Sequence, residues 1–316
     1  MGQQAVSTPV APSIRGRLRS VDVPHSAWAK ARERLAWVLV LPTLLVVVVV
    51  ALYPLVETFR LSFTNAILGG AYPTKYVGFR NYQRLFQDPA FVSSIWHTLT
   101  FTVASVALET VLGLAIALVI NSNFRGRGGV RTSMLVPWAI PTVVSAQLWK
   151  WMYAQGYGVI TDTLNRLHLV GSNFAPIANP STSLGAIVAV DVWKTTPFMA
   201  LLLLAGLQII PGDLYEASTV DGASKWQQFW QMTLPMLRPA LLVALIFRTL
   251  DAFRVFDVIF VMKGFAPETL SLAVYTKQKM IDQQLLGRGS AASVLIFLAI
   301  GLLVLIYTRL VRVEEG

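Results

Sequence analysis

Cysteine is absent from this 316-residue sequence. Disulfides, thiolate nucleophiles and thiolate metal sites are therefore excluded. Histidine is scarce: His25, His97 and His168 lie far apart, without His-x3-His spacing, and read as loop or interfacial side chains. No Gly-x4-Gly-Lys-Ser/Thr segment occurs, so the chain has no phosphate loop for hydrolysing nucleotides and any ATP is consumed on another polypeptide. Charge is thin as well. Asp, Glu, Lys and Arg make up 13% of the residues, against about a quarter in a soluble domain. No nucleophile, metal cluster or acid/base constellation points to an enzyme.

What is present is hydrocarbon, at 55% of residues. The clearest run is 35–55, where the seventeen residues from Trp37 through Tyr53 carry no charge; a helix needs roughly 20 residues to cross a bilayer. Further spans are predicted at about 96–120, 132–153, 183–206, 238–262 and 289–310. The expectation is an all-α integral membrane protein with six transmembrane helices. The first span reads as uncleaved, because the charged region before it is long and no small-x-small site follows it. Residues 1–34 form a basic tail, disordered to about residue 25, with a helix over 26–36 lying on the membrane surface. Residues 313–316 form a short carboxy-terminal tail. With six spans both termini share one side, which holds thirteen Lys and Arg residues against nine on the other. That side is cytoplasmic by the positive-inside rule. The net charge of +10 then reads as membrane orientation and lipid contact, not nucleic-acid binding.

A polar segment, 213–235, stands between two of these spans on the cytoplasmic side. It fits helix, turn, helix. Pro211-Gly212 breaks the preceding span, and Asp213 is placed to cap a short helix carrying Glu216 and Ala217. Asp221-Gly222, followed by Ala223, supplies the turn. Trp226, Phe229 and Trp230 share one face of the second helix, which Leu234-Pro235 is expected to end.

Glu216-Ala217-Ser218, Gly222 six residues after the Glu, and Met232-x-Leu234-Pro235 ten residues after the Gly resemble the EAA loop. That loop marks the membrane subunits of binding-protein-dependent ABC importers. The stretches 135–141 (LVPWAIP), 192–198 (VWKTTPF), 204–211 (LAGLQIIP) and 253–257 (FRVFD) are similar to the carbohydrate-uptake branch, the maltose and trehalose permeases. Residues 77–82 (VGFRNY) resemble the Gly-x-x-Asn-Tyr block after that branch's first span, and Gly264-Phe265-Ala266-Pro267 stands where Gly-Gly-Pro is more usual. The resemblance runs from about Trp37 to Arg312 and implies a type I ABC importer permease fold.

Charges inside the spans need a reason, since each costs a few kcal/mol in hydrocarbon. The fifth span carries Arg248, Asp251, Arg254 and Asp257, which occupy one half of a helix surface as two i, i+3 pairs. The fourth adds Asp191 and Lys194, and the second adds Glu109. Asp191, Arg254 and Asp257 are expected in intramembrane ion pairs. Such groups either hold helices together or line a polar route. Sugars are recognised by planar hydrogen-bonding groups and aromatic faces. Trp138 and Thr142 flank Pro137 and Pro141, which can release backbone carbonyls, and Trp193 and Phe198 flank Lys194-Thr195-Thr196.

The resemblance places the family's sugar-contacting positions at Trp138, Thr142, Lys194, Thr195, Phe198, Arg248, Asp251, Ala252 and Val255. Lys194, Arg248 and Asp251 depart from the maltose permease's residue types, so either the substrate differs or the site lies on a partner. This chain also lacks that permease's extra amino-terminal spans and large external insert. The resemblance further implies a second permease subunit, two cytosolic ABC ATPase subunits holding ATP and Mg, and an extracytoplasmic sugar-binding protein or lipoprotein, in a bacterial or archaeal cytoplasmic membrane. This chain itself would bind no cofactor. Glu216 would pair with an arginine of the ATPase, and Ala217 and Gly222 would let the hairpin seat deeply. Trp226, Phe229 and Trp230 would anchor it either there or on the chain's own helix ends. Trehalose or another maltose-type sugar is the favoured cargo. A polyol or glycerol-phosphate is the alternative, and an ion-coupled secondary transporter using Glu109, Asp251 or Asp257 is the rival class.

Overall fold

The computed structural model describes residues 27–70, 73–171 and 174–314; the expected disorder up to residue 25 lies outside them. Two units are distinguished, one ending at Leu55 and one beginning at Val56. In the first, α1 (Ala27–Val47) runs into a π-helical turn at Val48–Leu52. The stretch 26–36 is not a separate surface helix, because from Ala27 it continues without a break into the apolar run. α2 (Tyr53–Ser62) follows that turn.

The second unit is helical almost throughout. Short α3 (Arg80–Phe86) precedes α4 (Pro89–Asn121), whose start is set by Asp88: its carboxylate accepts from the Ala90 N–H at 3.0 Å. The third predicted span is broken into α5 (Arg127–Met134), α6 (Val136–Ala139) and α7 (Thr142–Met152). α8 (Val159–Arg166) lies in the following loop. α9 (Pro180–Leu207) is capped by Asn179, which accepts from the Ser181 N–H at 3.0 Å. α10 (Gly212–Val220) and α11 (Lys225–Gln228) form the polar hairpin. The fifth predicted span is divided into α12 (Leu234–Phe253) and α13 (Asp257–Lys263). α14 (Leu272–Lys277) and α15 (Leu286–Glu314) complete the chain.

Four helical stretches among the described residues are long and apolar enough to cross a membrane: Arg32–Ser62, Pro89–Asn121, Pro180–Leu207 and Leu286–Arg309. The third predicted span is interrupted at Ile140-Pro141, and the fifth carries Arg238, Arg248 and Asp251 within α12 and is interrupted at Arg254–Phe256.

α4 packs along α9, and α12 lies against both. Small and polar residues recur at helical spacing on the buried side of α4: Ser94, Thr98, Thr102, Ser105, Glu109, Gly113 and Ala117. They let the backbones approach, as at membrane helix contacts generally. At Gly113 a methyl group would lie 2.6 Å from Met199 Cγ, so any side chain there would have to displace Met199. Outside the bundle the block at 77–82 works as a clamp. Asn81 is buried and donates to the carbonyls of Ser62 at 2.8 Å and Thr64 at 2.7 Å, while the Tyr82 hydroxyl donates to Ser62.

Candidate functional site

The site is built where two helices fail to be continuous. Pro141 has no N–H, and Ile140 takes an extended conformation (ψ 132°), so the helix stops after Ala139 and restarts at Thr142. Carbonyls freed at this break need donors. Lys194 on α9 supplies them, its Nζ donating to Ile140 O at 2.6 Å and Trp138 O at 3.2 Å. The opened carbonyls expected around Pro141 are therefore present, and a buried lysine holds them.

The second break follows Phe253. Arg254 and Phe256 leave helical geometry, and α13 begins at Asp257. This breaks the expected Arg254/Asp257 pair, since i, i+3 neighbours meet only on a continuous helix. Arg254 instead reaches back to Asp251 at 3.4 Å, and Asp257 makes no ion pair among the described residues. Asp191 and Lys194 do not pair either; Asp191 turns to Arg248.

Arg248, only 2% exposed, is the centre of the cluster. Its Nε and Nη2 donate to Glu109 at 2.5 and 2.8 Å. Nη2 also reaches Asp191 at 3.2 Å, and Nη1 donates to Asp251 at 2.6 Å. The Thr195 hydroxyl adds a bond to Glu109 at 2.6 Å. One guanidinium thus ties α4, α9 and α12 together. Glu109 could be recognised in the sequence as a charge inside a span. Its role as the main partner of Arg248 could not, because 139 residues separate the two.

Two cavities of about 240 and 260 Å³ adjoin across Thr195, Arg248, Asp251 and Arg254. Thr142, Lys194, Ala252 and Val255 line the first, with Asp191 and Asp257; Trp138 and Phe198 line the second. The structure thus brings all nine positions singled out for sugar contact into one region. Trp138 and Phe198 stack there, their ring centroids 5.7 Å apart and their planes 10° from parallel. Trp193 does not line either cavity and packs edge-on against Trp149 at 5.3 Å.

The polar hairpin departs from expectation in two details and adds a third feature, a cap on its second helix. Asp213 lies inside the first turn of α10 and does not cap it; Pro211 holds the cap position. Ser224 begins α11 with a reciprocal pair of bonds to Gln227. Leu234-Pro235 does not end the second helix. A π-helical turn at Phe229–Thr233 leads directly into α12, widening the helix just before a residue without an N–H. The turn between the helices is as read: Gly222 has φ +81°, and Asp221 closes α10. Buried Gln228 stitches the hairpin, its amide donating to Ser218 Oγ at 2.8 Å and Thr219 Oγ1 at 2.9 Å. Glu216, Ala217 and Trp226 are exposed, and Trp226, Phe229 and Trp230 form one ring cluster.

Residues 109–313 match the family described as binding-protein-dependent transport system inner membrane component. The chain belongs to this family. It is a permease subunit of an ABC importer, a membrane component without catalytic activity of its own. The trehalose/maltose transport system permease protein MalF of Thermococcus litoralis is 43% identical, over 90% of this chain and 96% of that protein. The trehalose permease SugA of Mycobacterium tuberculosis is 40% identical, over 94% and 95%. The sulfoquinovosyl glycerol permease SmoG of Agrobacterium fabrum is 37% identical, over 91% and 94%. In fold, the permease superposes on a chain of a bacterial alginate ABC transporter crystallised with its oligosaccharide-bound periplasmic protein. The TM-score is 0.80 at 24% identity, covering 91% of this chain and 97% of that one.

Proposed function

We propose that this permease forms, with a second permease subunit, the membrane route for a neutral di- or oligosaccharide of the trehalose/maltose type. An external solute-binding protein delivers the sugar, and two cytosolic ATPase subunits supply the energy. One observation carries this reading: Trp138, Phe198, Lys194, Thr195, Arg248 and Asp251 converge on adjoining cavities. Taken as one space, these reach the range of about 300–1,000 Å³ typical of small-ligand sites. Stacked rings offer a face to the apolar side of a pyranose, and Asp251, 57% exposed at its side chain, offers hydroxyl acceptors. The names of the relatives MalF and SugA support the same choice of sugar.

In this reading the chain crosses the membrane six times, the two interrupted spans included, with both termini in the cytoplasm. Residues 35–312 are the transmembrane domain. The hairpin at 213–235 docks on an ATPase through Glu216, Ala217, Asp221, Gly222, Ala223 and Trp226, with Leu234 and Pro235 joining it to α12. Because the turn after Phe229 runs unbroken into α12, a movement of the hairpin reaches Arg248 through one continuous rod. Closure of the ATPase dimer on ATP would then bias the site between inward- and outward-facing states.

Reconstitution of the complete importer into proteoliposomes tests this. Trehalose or maltose uptake should require both internal ATP and the external binding protein, and should survive collapse of ion gradients. It should also fall sharply in Trp138→Ala. Uptake driven by a proton or sodium gradient without ATP would instead support a secondary transporter.

A further inference from the structure

We propose that Glu109, which lines neither cavity, sets the charge selectivity of the site by neutralising Arg248. This deepens the sugar-route reading and rests on it. The question is real for this architecture, because the cavity walls carry three cationic side chains: Lys194, Arg248 and Arg254. Left free, they would attract a phosphate, sulfonate or uronate. None is free. Lys194 points its ammonium at the carbonyls of Trp138 and Ile140. Arg254 leans on Asp251. Arg248 makes four hydrogen bonds to carboxylates, two of them to Glu109 through Nε and Nη2.

Glu109 does this from outside the cavity. It is fully buried on α4 and is held in place by the Thr195 hydroxyl, so its position is fixed before any ligand arrives. Across the cluster four carboxylates (Glu109, Asp191, Asp251 and Asp257) face the three cations, a formal excess of one negative charge. Among these carboxylates, Asp191, Asp251 and Asp257 line the cavity, while Glu109 stands behind Arg248. Removing the charge of Glu109 brings the cluster to parity. It also replaces one acceptor oxygen by an amide donor facing the guanidinium, which turns part of Arg248 toward the cavity. Glu109 is a positioning residue: it acts on the ligand only through Arg248.

The test uses the complete importer in nanodiscs, titrated directly with trehalose and with trehalose 6-phosphate. The external binding protein is left out because it would impose its own selectivity. Wild type should prefer trehalose. Glu109→Gln should move the affinity ratio toward the phosphate on the order of tenfold or more, as expected for one charge in a partly dry site. Glu109→Asp should keep the wild-type preference. A structural role would lower both affinities together in Glu109→Gln and leave the ratio unchanged, and that result overturns the proposal. Should Glu109→Gln fail to assemble, the double variant Glu109→Gln/Arg248→Gln removes the paired charges together and should retain the preference for trehalose. A phosphate preference there overturns the proposal equally. If wild type holds neither sugar while still transporting one, the route reading fails first and this proposal falls with it.

Discussion

Replacing Arg248 by methionine keeps the unbranched stem of the side chain and removes the guanidinium. Glu109, with no solvent exposure, and Asp191, 9% exposed, then lose their counter-charge inside the bundle. Breaking a buried pair by removing one partner costs about 3–5 kcal/mol, most of it from the charge left unpaired. For a domain of this size that corresponds to a fall in unfolding midpoint on the order of 10 °C. The double variant Arg248→Met/Glu109→Leu removes the deeper of the two stranded carboxylates, leaving Asp191, and should recover part of the loss. The coupling between the two substitutions should therefore be large, at the upper end of the 0.5–3 kcal/mol seen for contacting groups. Heating the detergent-purified complex and following the surviving fraction by size exclusion reads all four members of the cycle. If Arg248→Met costs no more than about 1 kcal/mol, or the two substitutions are additive, Arg248 is not the centre of a buried charge cluster.

Three further outcomes follow from the same geometry. Lys194→Met deprives the Trp138 and Ile140 carbonyls of their donor and should cost about 1–3 kcal/mol, read as a lower melting midpoint of the complex. An unchanged midpoint would mean that the break at Pro141 is satisfied in another way. Gly222→Val puts a branched side chain at φ +81°, a conformation that costs about 1–2 kcal/mol for L-residues, and Glu216→Lys inverts the exposed charge of α10. Both should abolish uptake and ATPase stimulation while the chain still inserts normally; full transport in either removes the coupling role of the hairpin. In the loop after α13, hydrogen bonding from Lys263 holds the Glu268 carboxyl below its usual range. A depressed carboxylate stabilises the folded loop above its unfolded pKa of about 4.3, and the contribution is lost only as pH falls through the lower folded value. Hydrogen-exchange protection over residues 264–271, taken relative to the unfolded chain at each pH, should thus hold from neutral pH down to about 4.3 and fall only below it. A loss of protection between neutrality and that point would contradict the assignment.

Much of this architecture was legible because the bilayer allows few solutions. The apolar runs at 96–120, 183–206 and 289–310 lie within α4, α9 and α15, with α4 starting seven residues earlier than read. Gly222 announced its turn, since a tight reversal asks for positive φ. The interruptions were harder to see. Pro141 was visible as a source of free carbonyls, yet nothing in the sequence says that Lys194 answers them, because that contact spans 54 residues. Charge pairing was read from local i, i+3 spacing, which served for Arg248 and Asp251. It failed for Arg254 and Asp257 because the helix unwinds between them. Pro235 was read as a stop, but a π-helical turn absorbs its missing N–H and carries the helix on. Long-range contacts of this kind leave no periodic trace. They are decided by which helices lie side by side.

The absence of cysteine makes the most direct test clean, since a single introduced thiol will be the only one in the chain. Ala217→Cys sits on the exposed face of α10. In the assembled importer this thiol should react only with reagents admitted to the cytosolic side, and should cross-link to an ATPase subunit with a yield that changes when ATP is bound. Labelling from the outer side, or the absence of any ATPase adduct, would contradict the account.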